Sequence, residues 1–132
     1  MRTYVDPAAL IRRISRSAQS TEVRQQIHES WWVGDLLATS ALARTELTRF
    51  ALRFGIPRSV ALESLAGIEL VPVSAEVLQL AADDADTSLD LVTAVHVASA
   101  VHIEAEYAVT YDARLAAALE ARGISVRGAP AP

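Results

Sequence analysis

The chain has 132 residues, with 12 basic against 16 acidic side chains, a formal charge of −4 and no cysteine. That length suits a single domain over residues 1–132, and the 52% hydrophobic content can build a core, which argues against disorder. Disulfides, zinc–thiolate sites and thiol catalysis are excluded, and no apolar run reaches the ~20 residues of a membrane span.

The opening Met1-Arg2-Thr3-Tyr4-Val5-Asp6 places an acid where a secretory signal would carry its apolar stretch, so the expected location is the cytoplasm. Every basic residue is an arginine, the better phosphate fork. The net acidity disfavours a protein that coats nucleic acid by bulk charge. It leaves room for an enzyme that handles nucleic acid through a metal in an acidic pocket.

Thr3-Tyr4-Val5 is a short strand, and Asp6-Pro7 ends it with a good N-cap and a good first helical residue. A helix then runs to about Ser15, and a second is expected from Thr21 to Glu29 before Trp31-Trp32 and Gly34 break the pattern. Leu36-Leu37-Ala38-Thr39 is the second strand. Ser40 caps a long helix from Ala41 to Arg53, stopped by Gly55 and Pro57. A short helix over Ser59–Leu65 and a strand at Ile68-Glu69-Leu70-Val71 follow. Ser74 starts a helix to about Ala82, the acidic run from Asp83 to Ser88 is a loop or a helix start, and a helix spans Leu91 to His102. Tyr107-Ala108-Val109-Thr110 is the fourth strand, Asp112 caps a helix from Ala113 to Ala121, and Ile124-Ser125-Val126 forms a last edge strand. Gly128–Pro132 is a frayed tail. Strands alternating with helices predict an α/β fold: a short parallel sheet of four to five strands with helices on both faces.

In an open parallel sheet, ligands bind beyond the carboxyl ends of the strands. Asp6 follows the first strand and Asp112 the fourth, while Glu46 lies about two turns into the helix after the second. Both aspartates also read as plain helix caps, and Glu46 as part of a solvated helix face. Ala43, Leu47 and Phe50 trace the buried stripe of that helix, however, and Glu46 borders it. A carboxylate beside a buried stripe needs a partner or a cation. Carboxylates without cysteine make a hard oxygen site, suited to Mg²⁺ or Mn²⁺. Such an ion lowers the pKa of a bound water and neutralises charge on a phosphate during in-line displacement, which is phosphodiester hydrolysis.

Four segments carry a family likeness: Tyr4-Val5-Asp6-x-x-Ala9-Leu10, Ser40-Ala41-Leu42-Ala43-Arg44-Thr45-Glu46-Leu47, Ala94-Val95-His96-Val97-Ala98-Ser99-Ala100 and Val109-Thr110-Tyr111-Asp112-x-x-Leu115. In that order they resemble a PIN domain, and more narrowly the VapC toxins of bacterial toxin–antitoxin pairs, over residues 3 to 127. The resemblance implies a magnesium-dependent endoribonuclease that a VapB-like antitoxin blocks, and a homodimer. The family's first, second and fourth acids fall on Asp6, Glu46 and Asp112, and Thr110 matches the hydroxyl residue before the last.

Two positions depart from the family. Ala8 stands where a small hydroxyl residue usually follows the first acid. Thr93 stands where the third acid precedes the histidine, in Thr93-Ala94-Val95-His96. Ser88-Leu89-Asp90 resembles the family's Ser-Leu-Asp, as though three residues had been inserted after it. Asp90 is thus a candidate fourth acid, one turn (~4.5 Å) back along a helix from Thr93. Its plain alternative is to favour the helix N-terminus electrostatically. Thr93 itself is a candidate to hold a metal-bound water.

His96 has no carboxylate partner close in sequence and reads as a packed, hydrogen-bonded histidine rather than a general base. Asp83, Asp84 and Asp86 lack the glycine and distal glutamate of a calcium loop. Arg12, Arg13 and Arg16 on the first helix, with Trp31, are candidates for guiding RNA, against plainer readings as a solvated face and a packed tryptophan. The rival functions are a PIN-fold protein that binds RNA or antitoxin without cutting, and a dehalogenase-like phosphatase. The latter needs an acid where Ala8 stands.

Overall fold

A computed structural model describes residues 1–14 and 34–128. In chain order the elements are β1 (Arg2–Val5), α1 (Pro7–Ile14), β2 (Leu36–Ser40), α2 (Leu42–Phe54), α3 (Arg58–Glu63), β3 (Glu69–Val71), α4 (Ala75–Ala82), α5 (Leu91–His102), β4 (Tyr107–Val109), α6 (Ala113–Glu120) and β5 (Ser125–Arg127). The helix expected over Thr21–Glu29, and with it Arg16 and Trp31, lies outside the described residues.

The five strands form one sheet in the order β3-β2-β1-β4-β5, and every neighbouring pair is parallel. The chain therefore winds outward from β1 to β3 and returns to the other side of β1 with β4. That reversal leaves a crevice beyond the carboxyl ends of β1 and β4, where open α/β sheets bind ligands. The register brings Val5 opposite Val109, and Asp6 N–H donates to the Val109 carbonyl at 2.9 Å. The residues after the two strands are thus held side by side.

Alternation along the strands sends successive side chains to opposite faces. Val5, Leu37 and Val109 pack with Ala9 and Leu10 of α1, Ala43, Leu47 and Ala51 of α2, and Ala61 of α3. On the other face Tyr4 and Ala108 meet Val97 and Ala100 of α5 and Leu115 and Leu119 of α6. Ala38 and Val71 meet Val77 of α4 together with Ala94, Val95 and Ala98 of α5. The buried stripe of α2 runs through Ala43, Leu47 and Ala51; Phe50, expected in it, is half-buried at its edge.

Caps follow the sequence with one shift. Ser40 closes β2, and Ala41 occupies the cap position of α2; the Ser40 hydroxyl still accepts the Leu42 N–H at 3.2 Å. Gly55 ends α2 with φ 67°, a left-handed conformation that favours glycine. The acidic Asp83–Ser88 run is a loop pinned to α6 and the turn after it: Arg114 of α6 donates to the Ser88 carbonyl, and Arg122 pairs with Asp84.

Leu47 is fully buried between α2 and the sheet. Leu47→Ala is expected to destabilise the chain by about 2–5 kcal/mol, read as a lowered urea midpoint with an unchanged slope.

Candidate active site

Asp6 is the deepest charged group at the crevice, 4% exposed. It takes the N-cap position of α1: its Oδ1 accepts the Ala8 N–H at 3.2 Å, and Pro7 fills the first helical position. Its Oδ2 accepts the Thr110 hydroxyl at 2.8 Å. Thr110 lies just past β4 and its Oγ1 in turn accepts the Asp112 N–H at 3.1 Å. Burial pushes the Asp6 carboxyl above the usual aspartate value, with nearby Asp112 adding to the rise. The Thr110 and Ala8 hydrogen bonds and His96 work against it.

Asp112 is exposed at the same mouth and caps α6. Its Oδ1 accepts the N–H groups of Arg114 at 2.9 Å and Leu115 at 3.0 Å, which leaves Oδ2 out of the cap. The cap reading of both aspartates therefore holds, and it leaves each carboxylate at the crevice mouth.

Glu46 enters from α2. Its Oε1 lies 2.9 Å from His96 Nε2 of α5, and its side chain is 32% exposed against 4% for His96. His96 Nδ1 sits 2.6 Å from the Tyr4 hydroxyl, and that oxygen accepts the Ser40 N–H at 3.3 Å. His96 is packed and hydrogen-bonded as its sequence context suggests. The carboxylate partner that the sequence hides is Glu46, fifty positions away. Burial, then the negative charge of Asp6, drives the Tyr4 phenol well above its ordinary pKa.

Asp90 is placed differently. It is exposed, extended at φ −68° and ψ 165°, and caps α5 by accepting the Thr93 N–H at 2.8 Å. That bond, joined by the Thr93 hydroxyl, holds its carboxyl below the usual range. Asp90 and Thr93 are thus engaged with each other at the helix start, and α5 begins at Leu91, without the extra turn that would carry Asp90 inward.

Of the expected RNA contacts, Arg12 lies over the Tyr111 ring, 5.3 Å from its centroid and one residue from Asp112. Arg13 donates to the Ser64 carbonyl at 3.4 Å. A groove of about 580 Å³ runs along α2 from Glu46, lined by Ile11, Arg49, Phe50, Arg53 and Phe54. Positions 46, 49, 50 and 53 share one helical face, a signal for this groove that the sequence carries although Arg49 and Phe54 are not among the expected site residues. Among the described residues, no three acidic or histidine side chains stand as a ready-formed metal cluster. None of the helices there is long and apolar enough to cross a membrane.

No family model matches the chain. Ribonuclease VapC47 of Mycobacterium tuberculosis is 34% identical over 116 residues, covering 85% of each chain. The chain belongs to the VapC family. Two solved VapC structures share its fold. VapC20 of Mycobacterium tuberculosis, a sarcin–ricin loop cleaving toxin, superposes with a TM-score of 0.68 at 16% identity, over 88% of this chain and 94% of its own. VapBC2 of Rickettsia felis, bound to a DNA fragment from its promoter, gives 0.70 at 12% identity over 96% and 98%. The architecture is accordingly that of the PIN-domain VapC toxins, and the family shown by the 34% identity is one of ribonucleases.

Because the folded chain holds the Asp6 proton more tightly than the unfolded chain, ionising Asp6 costs stability. That cost grows as pH rises from the ordinary carboxyl range through the raised folded value, and is fully present above it. Asp6→Asn removes the charge. Metal-free Asp6→Asn protein is expected to be more stable than its parent at neutral pH, with the difference shrinking on acidification; thermal melts across pH provide the check.

Proposed function

We propose that this VapC-family chain cleaves RNA with a divalent cation, Mg²⁺ or Mn²⁺, held by Asp6, Glu46 and Asp112. The observation that carries the reading is Asp6: a carboxylate buried at the crevice of a parallel sheet, with its ionised form disfavoured by burial and by a second acid nearby. A cation relieves both penalties. The donor set fits a hard ion, since all three groups offer carboxylate oxygen and the chain has no cysteine. The hydrogen bonds to Asp112 Oδ1 and Glu46 Oε1 leave the second oxygen of each outside those bonds.

When bound, the ion supplies an acidified water and charge neutralisation at the scissile phosphate. The chain's own residues do the rest. Thr110 and the Ala8 N–H aim the Asp6 carboxylate, and the α6 N-terminus fixes Asp112. Arg12 over the Tyr111 ring, with Arg49 and Arg53 along the groove from Glu46, provides guanidinium groups for the RNA backbone. Asp112 bears on the Asp6 carboxyl, whereas Asp90 shows its contacts at the α5 cap, so the proposed set omits Asp90; Thr93 brings no charge to it.

A VapB-like antitoxin and a second copy of this chain are the proposed partners. Leu52, Phe54, Leu78 and Leu91 leave apolar surface for them. The proposed place of action is the cytoplasm, where bacterial RNA is made and used.

Purified protein is expected to cut total bacterial RNA into discrete fragments with Mg²⁺ or Mn²⁺, and to stop when the ion is chelated. Asp6→Ala and Glu46→Ala are expected to abolish cutting. Asp90→Ala is expected to lose about 1 kcal/mol of stability with its cap while still cutting. Cleavage that persists in chelator, or in Asp6→Ala, contradicts the reading.

A further inference from the structure

Tyr4 and His96 are buried polar residues that touch Glu46 or its partner, yet neither belongs to the proposed metal set. Tyr4 is fully buried in the central strand, and His96 is 3% exposed on α5. Histidine nitrogens are distinct: the hydrogen bond made by one fixes whether the other carries a proton.

The donors and acceptors run in one direction. The Ser40 N–H, at 3.3 Å, donates to the Tyr4 oxygen. The Tyr4 phenol is a hydroxyl with one proton to give, and its oxygen already accepts from Ser40. His96 Nδ1, at 2.6 Å, is positioned to receive it. Nδ1 is then the bare nitrogen, and the proton resides on Nε2, facing Glu46 Oε1 at 2.9 Å. The opposite tautomer would set two lone pairs against each other at that contact.

We propose that Tyr4 and His96 are positioning residues: Tyr4 fixes His96 as its Nε2–H tautomer, and His96 locks the Glu46 carboxylate by Oε1, leaving Oε2 for the cation. The inference rests on the cation reading of Glu46. An unrestrained glutamate on a helix face spreads over many rotamers. This one instead ends against a rigid chain of contacts from β2 through β1 to α5.

The test uses metal-free ¹⁵N-labelled protein and calorimetric Mn²⁺ titration of the parent, Tyr4→Phe, His96→Leu and His96→Gln, each checked for folding by circular dichroism. The parent spectrum is expected to show His96 protonated at Nε2 and bare at Nδ1. Tyr4→Phe, which keeps the ring and removes only the hydroxyl, is expected to mix the two tautomers. Removing a hydrogen-bond partner of a metal ligand weakens binding about 10–100-fold, so that loss is expected in His96→Leu. His96→Gln is expected to recover most of it, because its amide N–H reaches Glu46 from nearly the same place. An Nδ1–H tautomer in the parent overturns the proposal, and so does unchanged Mn²⁺ affinity in Tyr4→Phe and His96→Leu. Should His96→Leu fail to fold, Tyr4→Phe and His96→Gln decide the matter. A parent that takes up no Mn²⁺ sinks the cation reading, and the tautomer with its response to Tyr4→Phe then decides the lock alone.

Discussion

A carboxylate that must stay inside the protein is the constraint around which the rest of the structure is arranged. Asp6 follows the central strand, held by the Ala8 N–H on one oxygen and the Thr110 hydroxyl on the other. The strand order makes this arrangement available. Only because β4 returns beside β1 does Thr110, far away in sequence, arrive within 2.8 Å of Asp6. The backbone bond from Asp6 N–H to the Val109 carbonyl fixes that register.

Two helix N-termini help make the charges tolerable. Asp6 stands at the start of α1 and Asp112 at the start of α6, where free N–H groups and the helix dipole favour negative charge. These contacts offset part of the desolvation of Asp6 without removing it, since burial still raises its carboxyl. Glu46 has no such helix end to lean on. It comes from within α2 and finds His96 instead, behind which Tyr4 closes the chain of contacts. The site therefore combines two ways of holding an acid, by helix caps and by a buried side-chain relay.

The strand–helix alternation, the Asp6-Pro7 boundary and the Asp112 cap were legible from local patterns, because each depends on residues within a few positions of one another. The three principal acids were legible as candidates because they follow strands or border a buried stripe. What local pattern does not contain is pairing. Nothing near His96 announces Glu46, and nothing near Tyr4 announces His96, because both contacts join separate elements packed across the sheet. The spacing of Phe50 points to the core, yet the stripe turns toward Ala51 and leaves Phe50 on the groove. Asp90 illustrates the reverse case: the plain reading, a carboxylate at a helix start, is a local pattern and matches the cap it makes.

The central claim is that the fold buries Asp6 at the crevice so that it can hold a divalent cation. Melting temperature measured against Mn²⁺ concentration, for the parent and for Asp6→Asn, tests it directly, because a ligand that binds only the folded chain raises stability with its concentration. The account predicts a rise for the parent and little or none for Asp6→Asn, so that the variant's advantage in metal-free buffer disappears as the ion is added. Equal rises in both proteins, or none in either, would contradict it.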